Sequence, residues 1–195
     1  MSFTPKETII YGGAFNPPTL AHQAILQACA QYAEPRGADV WLLPSGNRAD
    51  KTIATEYGRR YELCEALIQD VQSRGVMVEV NCFELDNSEL TQTYETVMAL
   101  QAAYPDRHFT WVFGSDSVAS MPEWSHGGWL KENLSMLVAD RPGVPEITLG
   151  ANARWLGVSS PISSTEVRRR MAAGEAYDEL VGKHVGALLK RAVVF

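Results

Sequence analysis

The sequence predicts an α/β protein built on a doubly wound parallel sheet. Short apolar runs, typical of buried strands, alternate along the chain with longer segments whose apolar residues recur at helical spacing. Glycine and proline residues end most of these runs. Strands that alternate with helices are typical of βαβ crossovers, which make neighbouring strands parallel and place helices on both faces of the sheet.

Six strands are predicted from the apolar runs, at residues 8–11, 40–43, 76–80, 109–113, 134–138 and 153–158. Helices are predicted at about 20–33, 55–71 and 93–104, with two more at about 164–173 and 179–192. The chain contains no repeat and no linker long enough to divide it. We therefore expect a single domain over residues 1–195, in which residues 164–195 form the closing C-terminal helices.

The composition narrows the class of protein. The 195-residue chain is 46% hydrophobic and 21% charged, which is ordinary for a domain that buries a core. Its net charge of −6 argues against a nucleic-acid or anionic-membrane partner. The three cysteines, Cys29, Cys64 and Cys82, are an odd number in apolar surroundings and are expected to be reduced thiols. Because no apolar run reaches about 18 residues and no secretory segment is present, we expect a cytoplasmic protein.

The most informative segment runs from Gly12 to His22. It follows the first predicted strand and leads into the first predicted helix, which is where α/β proteins hold phosphates. Gly12 and Gly13 let the backbone turn and approach a ligand, and the following helix N-terminus presents unpaired N–H groups to an anion. Thr19 and His22 are predicted on one face of the first helical turn, where both can donate hydrogen bonds to a phosphate. A surface or capping role for the histidine is the alternative.

A second segment, residues 158–170, carries hydroxyl side chains before a predicted helix. Ser163 or Ser164 could cap this helix, and capping alone would account for the serines. Arg168 lies one turn into the helix, on the same face as Ser164 or Thr165, where a guanidinium can bind phosphate oxygens held by the helix N-terminus. The two arginines that follow are expected to be solvated or paired with carboxylates, Arg169 and Arg170 with Glu166 and Glu175.

Both segments resemble signatures of the nucleotidylyltransferase superfamily. The first is similar to G-G-x-F-[DN]-P-x-[HT]-x-x-H, and the second matches I-S-S-T-x-x-R at every defined position. Over nearly its full length the chain most resembles bacterial nicotinate or nicotinamide mononucleotide adenylyltransferases. The resemblance implies a Rossmann-like nucleotidylyltransferase fold and transfer of an adenylyl group from ATP to a pyridine mononucleotide. The products would be pyrophosphate and the dinucleotide of NAD biosynthesis.

The same resemblance implies a set of site residues. Three would act in catalysis: His22, Thr19 and Arg168. ATP would be bound by residues of both motifs and of the end of the fourth strand: Gly12, Gly13, Ala14, Phe15, Gly114, Asp116, Ile162, Ser163, Ser164 and Thr165. The mononucleotide would be bound by Asn16, Arg48, Lys51, Thr93 and Trp124. Mg²⁺ would be held mainly by ATP phosphates and water, since the sequence offers no carboxylate cluster for a metal.

The mononucleotide assignments depend on three weaker features. Arg48 and Lys51 follow the second strand, but the family's usual Pro-Pro-His is missing there, and both could be solvated loop charges. Thr93 opens a segment that resembles T-x-D-T-L, although a plain N-cap accounts for it almost as well. Trp124 follows a G-x-D segment whose Asp116 can accept hydrogen bonds from a ribose. The indole of Trp124 could stack on a pyridine ring or fill the core.

Two departures from the family pattern keep other functions open. Thr19 stands where many members have histidine, and Ala21 stands where glycine is usual. The alternatives are another small-molecule nucleotidylyltransferase, such as a pantetheine-phosphate adenylyltransferase or a cytidylyltransferase, and a non-catalytic nucleotide-binding protein. The sequence leaves open the choice between nicotinate and nicotinamide, the effect of Ala21 and of the atypical 45–51 loop, and whether the chain forms a homo-oligomer.

Overall fold

The computed structural model describes residues 5–46 and 55–191. Within them, six strands form one parallel sheet in the order β3-β2-β1-β4-β5-β6. The strands are β1 (Lys6–Gly13), β2 (Asp39–Pro44), β3 (Val78–Val80), β4 (Arg107–Gly114), β5 (Ser135–Asp140) and β6 (Ala153–Ser159). The strand order reverses between β1 and β4, and ligands of such sheets bind at that switch point. The predicted doubly wound α/β sheet is therefore confirmed.

The described residues form eight α-helices: α1 (Leu20–Ala33), α2 (Tyr57–Gln69), α3 (Phe83–Asp86), α4 (Thr93–Ala103), α5 (Ser115–Ser120), α6 (Gly127–Asn133), α7 (Ser164–Ala173) and α8 (Lys183–Arg191). Helices α1 and α7 have the bounds that the sequence predicts. The sequence does not predict α3, α5 and α6, because four to seven residues are too few to show a helical period. None of the described helices is long and apolar enough to cross a membrane.

The prediction of a last helix from residue 179 is wrong at its start. A single 3₁₀ turn spans Asp178–Leu180, Val181 is extended, and α8 begins only at Lys183. Asp70 gives the physical reason, because its carboxylate accepts hydrogen bonds from the backbone N–H groups at the start of α8, at 2.9 Å from His184. A Cβ on Gly182 would lie 2.1 Å from this carboxylate, so the glycine lets Asp70 cap the helix. The predicted third strand is also shorter than expected and begins at Val78 rather than at residue 76.

The sheet is covered on both faces. Ile9 and Ile10 are adjacent in β1 and fully buried, yet they belong to different hydrophobic clusters, because successive side chains of a strand point to opposite faces. Helices α1, α2 and α8 fill the cluster of Ile9, and helices α4 and α6 fill the cluster of Ile10. This two-sided burial holds β1 and β4 at the centre of the molecule.

A buried carboxylate joins the central strands near their amino ends. Asp39 in β2 is 1% exposed and accepts hydrogen bonds from Thr8 Oγ1 at 2.6 Å and from Arg107 Nη1 at 2.7 Å. Lys6 Nζ lies 2.8 Å from the same carboxylate. Burial by itself raises the pKa of Asp39, but the hydrogen bonds from Lys6, Thr8 and Arg107 lower it overall. The register of β1, β2 and β4 is thus fixed at the edge opposite their carboxyl ends.

Candidate active site

A cleft of about 460 Å³ opens at the carboxyl ends of β1 and β4. This is the switch point of the sheet. Four residues that the sequence predicts for ligand binding line the cleft: Gly12, Gly13, Thr93 and Trp124. The structure therefore brings the two glycines of the first motif together with two of the residues predicted for the mononucleotide.

The turn after β1 takes its shape from Phe15 rather than from the two glycines. Phe15 has a φ of 46°, in the left-handed region, and its buried ring lies edge-on to Tyr11 and to His22, with ring centroids 5.4 Å apart in each pair. A Cβ on Gly13 would lie 3.2 Å from this ring, whereas a Cβ on Gly12 would meet only an ordinary contact. The ring of Phe15 is therefore part of the core, and the ATP contact predicted for this residue is left to its backbone.

The start of α1 holds His22 in one tautomer. Thr19 is the N-cap of this helix, and its backbone N–H donates a hydrogen bond to His22 Nδ1 at 3.0 Å. An Nδ1 that accepts a backbone N–H carries no proton, so the neutral imidazole has its proton on Nε2. The Thr19 hydroxyl lies 2.8 Å from the same Nδ1. Thr19 is only 1% exposed. Thr19 therefore contacts His22 Nδ1 through both its backbone N–H and its hydroxyl. This differs from the prediction that both side chains donate to a phosphate.

His22 is neutral at ordinary pH. Burial lowers its pKa to about 4, and the positive charge of Arg141 acts in the same direction. A neutral imidazole with its proton on Nε2 still donates a hydrogen bond. The site can therefore offer a donor to a phosphate without any change of protonation between about pH 5 and 8.

Acid is expected to destabilise the fold through His22. The unfolded chain takes up a proton at the ordinary pKa of 6.5, whereas the folded chain does so only at about 4. The unfolded state thus binds more protons between these values, and the free energy of unfolding falls as the pH drops through this window. One proton gives a slope of at most about 1.4 kcal/mol per pH unit. Urea unfolding should show this component in the wild type and lose it in His22→Gln. An equal pH dependence of the free energy of unfolding in the two proteins would contradict the lowered pKa of His22.

The second motif contacts the first one directly. Ser164 Oγ, in the first turn of α7, donates to the carbonyl oxygen of Pro17 at 2.8 Å. Arg168 Nη1 donates to the carbonyl oxygen of Asn16 at 2.6 Å, and Nη2 donates to Thr165 Oγ1 at 3.1 Å. Ser163 is the N-cap of α7 and accepts from the backbone N–H of Glu166. Two segments far apart in the chain are thus joined, with the guanidinium of Arg168 bracing the turn after β1.

The neighbouring arginines point to other partners, as the sequence predicts. Arg169 pairs with Glu166 at 2.9 Å and with Glu175 at 2.8 Å. Arg170 pairs with Glu166 at 2.8 Å and with Glu179. The pKa of Glu166 falls to about 2 because Arg169 and Arg170 donate hydrogen bonds to it. These exposed pairs leave Arg168 as the arginine of α7 that faces the first motif.

The end of β4 carries the predicted G-x-D segment and a cation that the sequence analysis missed. A Cβ on Gly114 would lie 2.3 Å from Asp116 Oδ1, so the carboxylate folds back over the glycine. Arg141 Nε lies 3.7 Å from the same oxygen, and the Arg141 backbone N–H donates to the buried Ser115 hydroxyl at 2.9 Å. Arg141 directly follows β5, so its place after the fifth predicted strand was a usable signal. Two further residues predicted for ATP are half-buried, Ala14 and Ile162.

The start of α4 forms one wall of the cleft. Gln92 is the N-cap, and Glu95 Oε2 accepts hydrogen bonds from the backbone N–H groups of Thr91 at 2.9 Å and Gln92 at 3.1 Å. Thr93 is the first residue of the helix proper, so the interpretation of Thr93 as a plain N-cap is wrong. Opposite, the half-buried indole of Trp124 lies edge-on to Phe113 with ring centroids 6.1 Å apart.

Arg48 and Lys51, both predicted for the mononucleotide, lie outside the described residues. The described residues on either side of them are tied to the site. The Ser45 N–H donates to the carbonyl oxygen of Gly13 at 2.9 Å, and Thr55 Oγ1 donates to Asn16 Oδ1 at 2.7 Å. The side chain of Asn16 is therefore already engaged by Thr55.

A switch point where a glycine turn, a helix N-terminus and a guanidinium meet is suited to phosphates, and the fold and site together define a nucleotide-binding α/β protein. Residues 10–170 match a family model described as cytidylyltransferase-like, and the chain belongs to that family. The resemblance seen in the two motifs is thereby confirmed.

Similar proteins narrow the comparison. A probable nicotinate-nucleotide adenylyltransferase of Bordetella petrii is 30% identical over 198 residues, which cover 95% of this chain and 97% of that protein. One of Exiguobacterium sibiricum is 28% identical over 93% of this chain and 94% of its own length. The structure of Plasmodium falciparum nicotinic acid mononucleotide adenylyltransferase complexed with NaAD has a TM-score of 0.77 and 20% identity, with 97% of each chain covered. The whole fold is shared with that structure.

Proposed function

We propose that this protein transfers the adenylyl group of ATP to nicotinate mononucleotide and releases pyrophosphate, a step of NAD biosynthesis. The observation that carries the proposal is the contact between the two phosphate motifs, in which Arg168 and Ser164 of α7 bond to the backbone of the turn at Asn16 and Pro17. That contact ties the N-terminus of α7 to the turn after β1, and the Phe15 ring in the same turn packs against His22. The nicotinate-nucleotide adenylyltransferases among the similar proteins support the choice of substrate.

In the proposed reaction, a phosphate oxygen of the mononucleotide attacks the α-phosphorus of ATP. The new P–O bond forms as the bond to the bridging oxygen breaks, and the electron pair leaves with pyrophosphate. Negative charge grows on the α-phosphoryl oxygens and on the leaving group. His22 Nε2–H donates to the α-phosphate, and Arg168 with the α7 N-terminus holds the β- and γ-phosphates. These donors are fixed before the reaction, so stabilising the charge costs little reorganisation.

Mg²⁺ enters this reaction as part of the ATP substrate. In the part of the chain that the structure describes, no group of three or more His, Cys, Asp or Glu side chains is arranged to hold a metal ion. We infer that the ion is coordinated by ATP phosphate oxygens and water. Mg²⁺ usually keeps several of its waters when bound, so it needs few protein ligands. Asp116, at the end of β4, is proposed to accept hydrogen bonds from the ATP ribose.

For the acceptor, we propose that Thr93 and Trp124 receive the pyridine ring between the two cleft walls. The Nδ2 amide of Asn16, whose Oδ1 accepts from Thr55, is proposed to donate to the phosphate of the mononucleotide together with Arg48 and Lys51. The free thiols Cys29, Cys64 and Cys82 support a reducing, intracellular compartment for this chemistry.

Product analysis tests the proposal. The purified protein is incubated with MgATP and, separately, with nicotinate mononucleotide, nicotinamide mononucleotide or pantetheine phosphate, and the products are separated and weighed by mass spectrometry. A parallel series replaces ATP with CTP. We expect nicotinate adenine dinucleotide and pyrophosphate in the first reaction. Faster product formation with pantetheine phosphate or with CTP would favour a different nucleotidylyltransferase, and no product from any pair would favour a non-catalytic nucleotide-binding protein.

Trp124→Ala is expected to weaken acceptor binding selectively. If the indole stacks on the pyridine ring, its removal costs roughly 1 to 3 kcal/mol, which raises the KM for the mononucleotide by about 5- to 150-fold. The KM for ATP should stay within about twofold, because the proposal assigns the indole to the acceptor and not to ATP. Steady-state kinetics with each substrate varied in turn gives both values. An unchanged KM for the mononucleotide would make Trp124 a core filler.

A further inference from the structure

Two chain segments line the cleft where the acceptor is proposed to bind. One is the start of α4, with Thr93 in the cleft lining, and the other is the segment before α6, with Trp124 in the lining. The segments are separate in the sequence, so the spacing between Thr93 and Trp124 depends on contacts that join them. The residue that follows Thr93 and the residue two positions after Trp124 make such a contact.

Tyr94 and His126 stack face to face. Their ring centroids lie 3.9 Å apart and their planes differ by 20°. Trp129 of α6 packs edge-on against the same Tyr94 ring, with centroids 5.3 Å apart and planes at 89°. Stacked and edge-on aromatic pairs each add to the free energy of association beyond the area they bury. Tyr94 is half-buried by these two partners, whereas His126 is exposed, so the stack lies at the rim of the site rather than in the core.

His126 and Trp124 lie in the same backbone turn. His126 has a φ of 54°, in the left-handed region that residues other than glycine seldom adopt. The Gly127 N–H donates to the carbonyl oxygen of Trp124 at 2.9 Å and closes a tight turn. A Cβ on Gly127 would lie 1.8 Å from the carbonyl oxygen of Met121, so the turn packs closely against the residue that follows α5. His126 and Trp124 therefore belong to one tight turn, and the stack of His126 on Tyr94 ties this turn to the start of α4.

We propose that Tyr94 and His126, called here the aromatic strap, are positioning residues that set the separation between Thr93 and Trp124 and so determine the fit of the pyridine ring of the acceptor. The proposal rests on the proposed function. Neither residue is among those that line the cleft. Nicotinate and nicotinamide mononucleotide differ only in one ring substituent, which the proposal places at the start of α4, so a fixed separation favours one substituent over the other. Loosening the strap should therefore weaken acceptor binding and reduce discrimination between the two mononucleotides.

Three variants separate the ring contact from the turn. Tyr94→Leu removes the stack and keeps an apolar side chain for Trp129, whereas Tyr94→Phe keeps the ring. His126→Asn removes the ring but keeps a residue that tolerates a left-handed backbone. We expect Tyr94→Leu and His126→Asn each to raise the KM for nicotinate mononucleotide about fivefold or more, with kcat and the KM for ATP changed less than twofold. Tyr94→Phe should behave like the wild type.

The double variant Tyr94→Leu/His126→Asn is the decisive measurement. Because both single changes remove one shared contact, the double variant should raise the acceptor KM no more than the larger single change. The ratio of kcat/KM for the two mononucleotides should move toward one in all three ring-removing proteins. Tyr104→Ala serves as the control, since it removes a ring contact with Trp41 near the other end of α4 and should lower stability without changing the acceptor KM.

Calorimetric titration with each mononucleotide makes the test independent of turnover. Wild-type protein that binds the mononucleotide but makes no dinucleotide would overturn the proposed function and leave the strap to be judged on binding affinity alone. Additive effects in the double variant, equal rises in the KM for ATP and acceptor, or loss of affinity in Tyr94→Phe would overturn the strap. Wild-type protein that binds neither mononucleotide would overturn it as well.

Discussion

His22→Ala is expected to lower kcat by about 10²-fold or more, which is the usual cost of removing one fixed donor to a developing oxyanion. The structure gives the reason in detail. Thr19 keeps His22 Nδ1 as an acceptor, so the proton on Nε2 is free for the proposed contact with the α-phosphate, and the low pKa of about 4 keeps the imidazole neutral across ordinary pH. The KM for each substrate should change much less than kcat, because the donor acts mainly as charge develops.

His108→Ala is the matched control for this variant. His108 is an exposed histidine of β4 at the amino edge of the sheet, paired in register with Glu7 of β1 and far from the switch point. Its replacement should leave kcat unchanged. Thermal unfolding of all three proteins verifies that the fold is intact. A purified His22→Ala protein with near-normal kcat would remove His22 from the chemistry.

Arg168→Ala is expected to weaken ATP binding and to slow the chemistry together, by on the order of tenfold or more in each of KM for ATP and kcat. A guanidinium that binds the β- and γ-phosphates acts in the ground state and in the transition state. The structure adds a second reason, since Arg168 also braces the turn after β1 through the carbonyl oxygen of Asn16. Arg168→Lys should recover little, because one ammonium cannot make both contacts of the planar guanidinium.

Arg169→Ala and Arg170→Ala are the controls on the same helix. Both side chains are occupied by surface carboxylates, and exposed pairs of this kind contribute little to stability. Neither change should alter the KM for ATP by more than about twofold. A similar loss at positions 168, 169 and 170 would indicate a general effect of charge instead of a specific contact.

The fold was predictable because its signals are local. Apolar runs and helical periods identify β1 to β6 and the long helices, and the parallel doubly wound sheet follows from their alternation. The start of α8 was not predictable, because the cap is Asp70, which lies far away in the sequence. The short helices α3, α5 and α6 escaped for a different reason, since one or two turns carry no periodic pattern.

In the site as well, local motifs could be predicted from the sequence and long-range contacts could not. The two motifs could be recognised from sequence, but their contact through Arg168 and Asn16 is a tertiary fact. The sequence also placed Thr19 beside the phosphate, where the structure uses it to orient His22. Arg141 could have been found from its place after the fifth predicted strand, whereas the Tyr94–His126 stack could not, because the two residues are far apart in the sequence.

Label transfer tests the central claim, adenylyl transfer, most directly. ATP labelled with ³²P at the α-position, or in a parallel reaction at the γ-position, is incubated with the protein, Mg²⁺ and nicotinate mononucleotide, and the products are separated. We predict that the α-label appears in the dinucleotide and the γ-label in pyrophosphate, with both signals reduced in His22→Ala. Recovery of the γ-label in a phosphorylated acceptor, or of both labels only in unreacted ATP, would contradict the account.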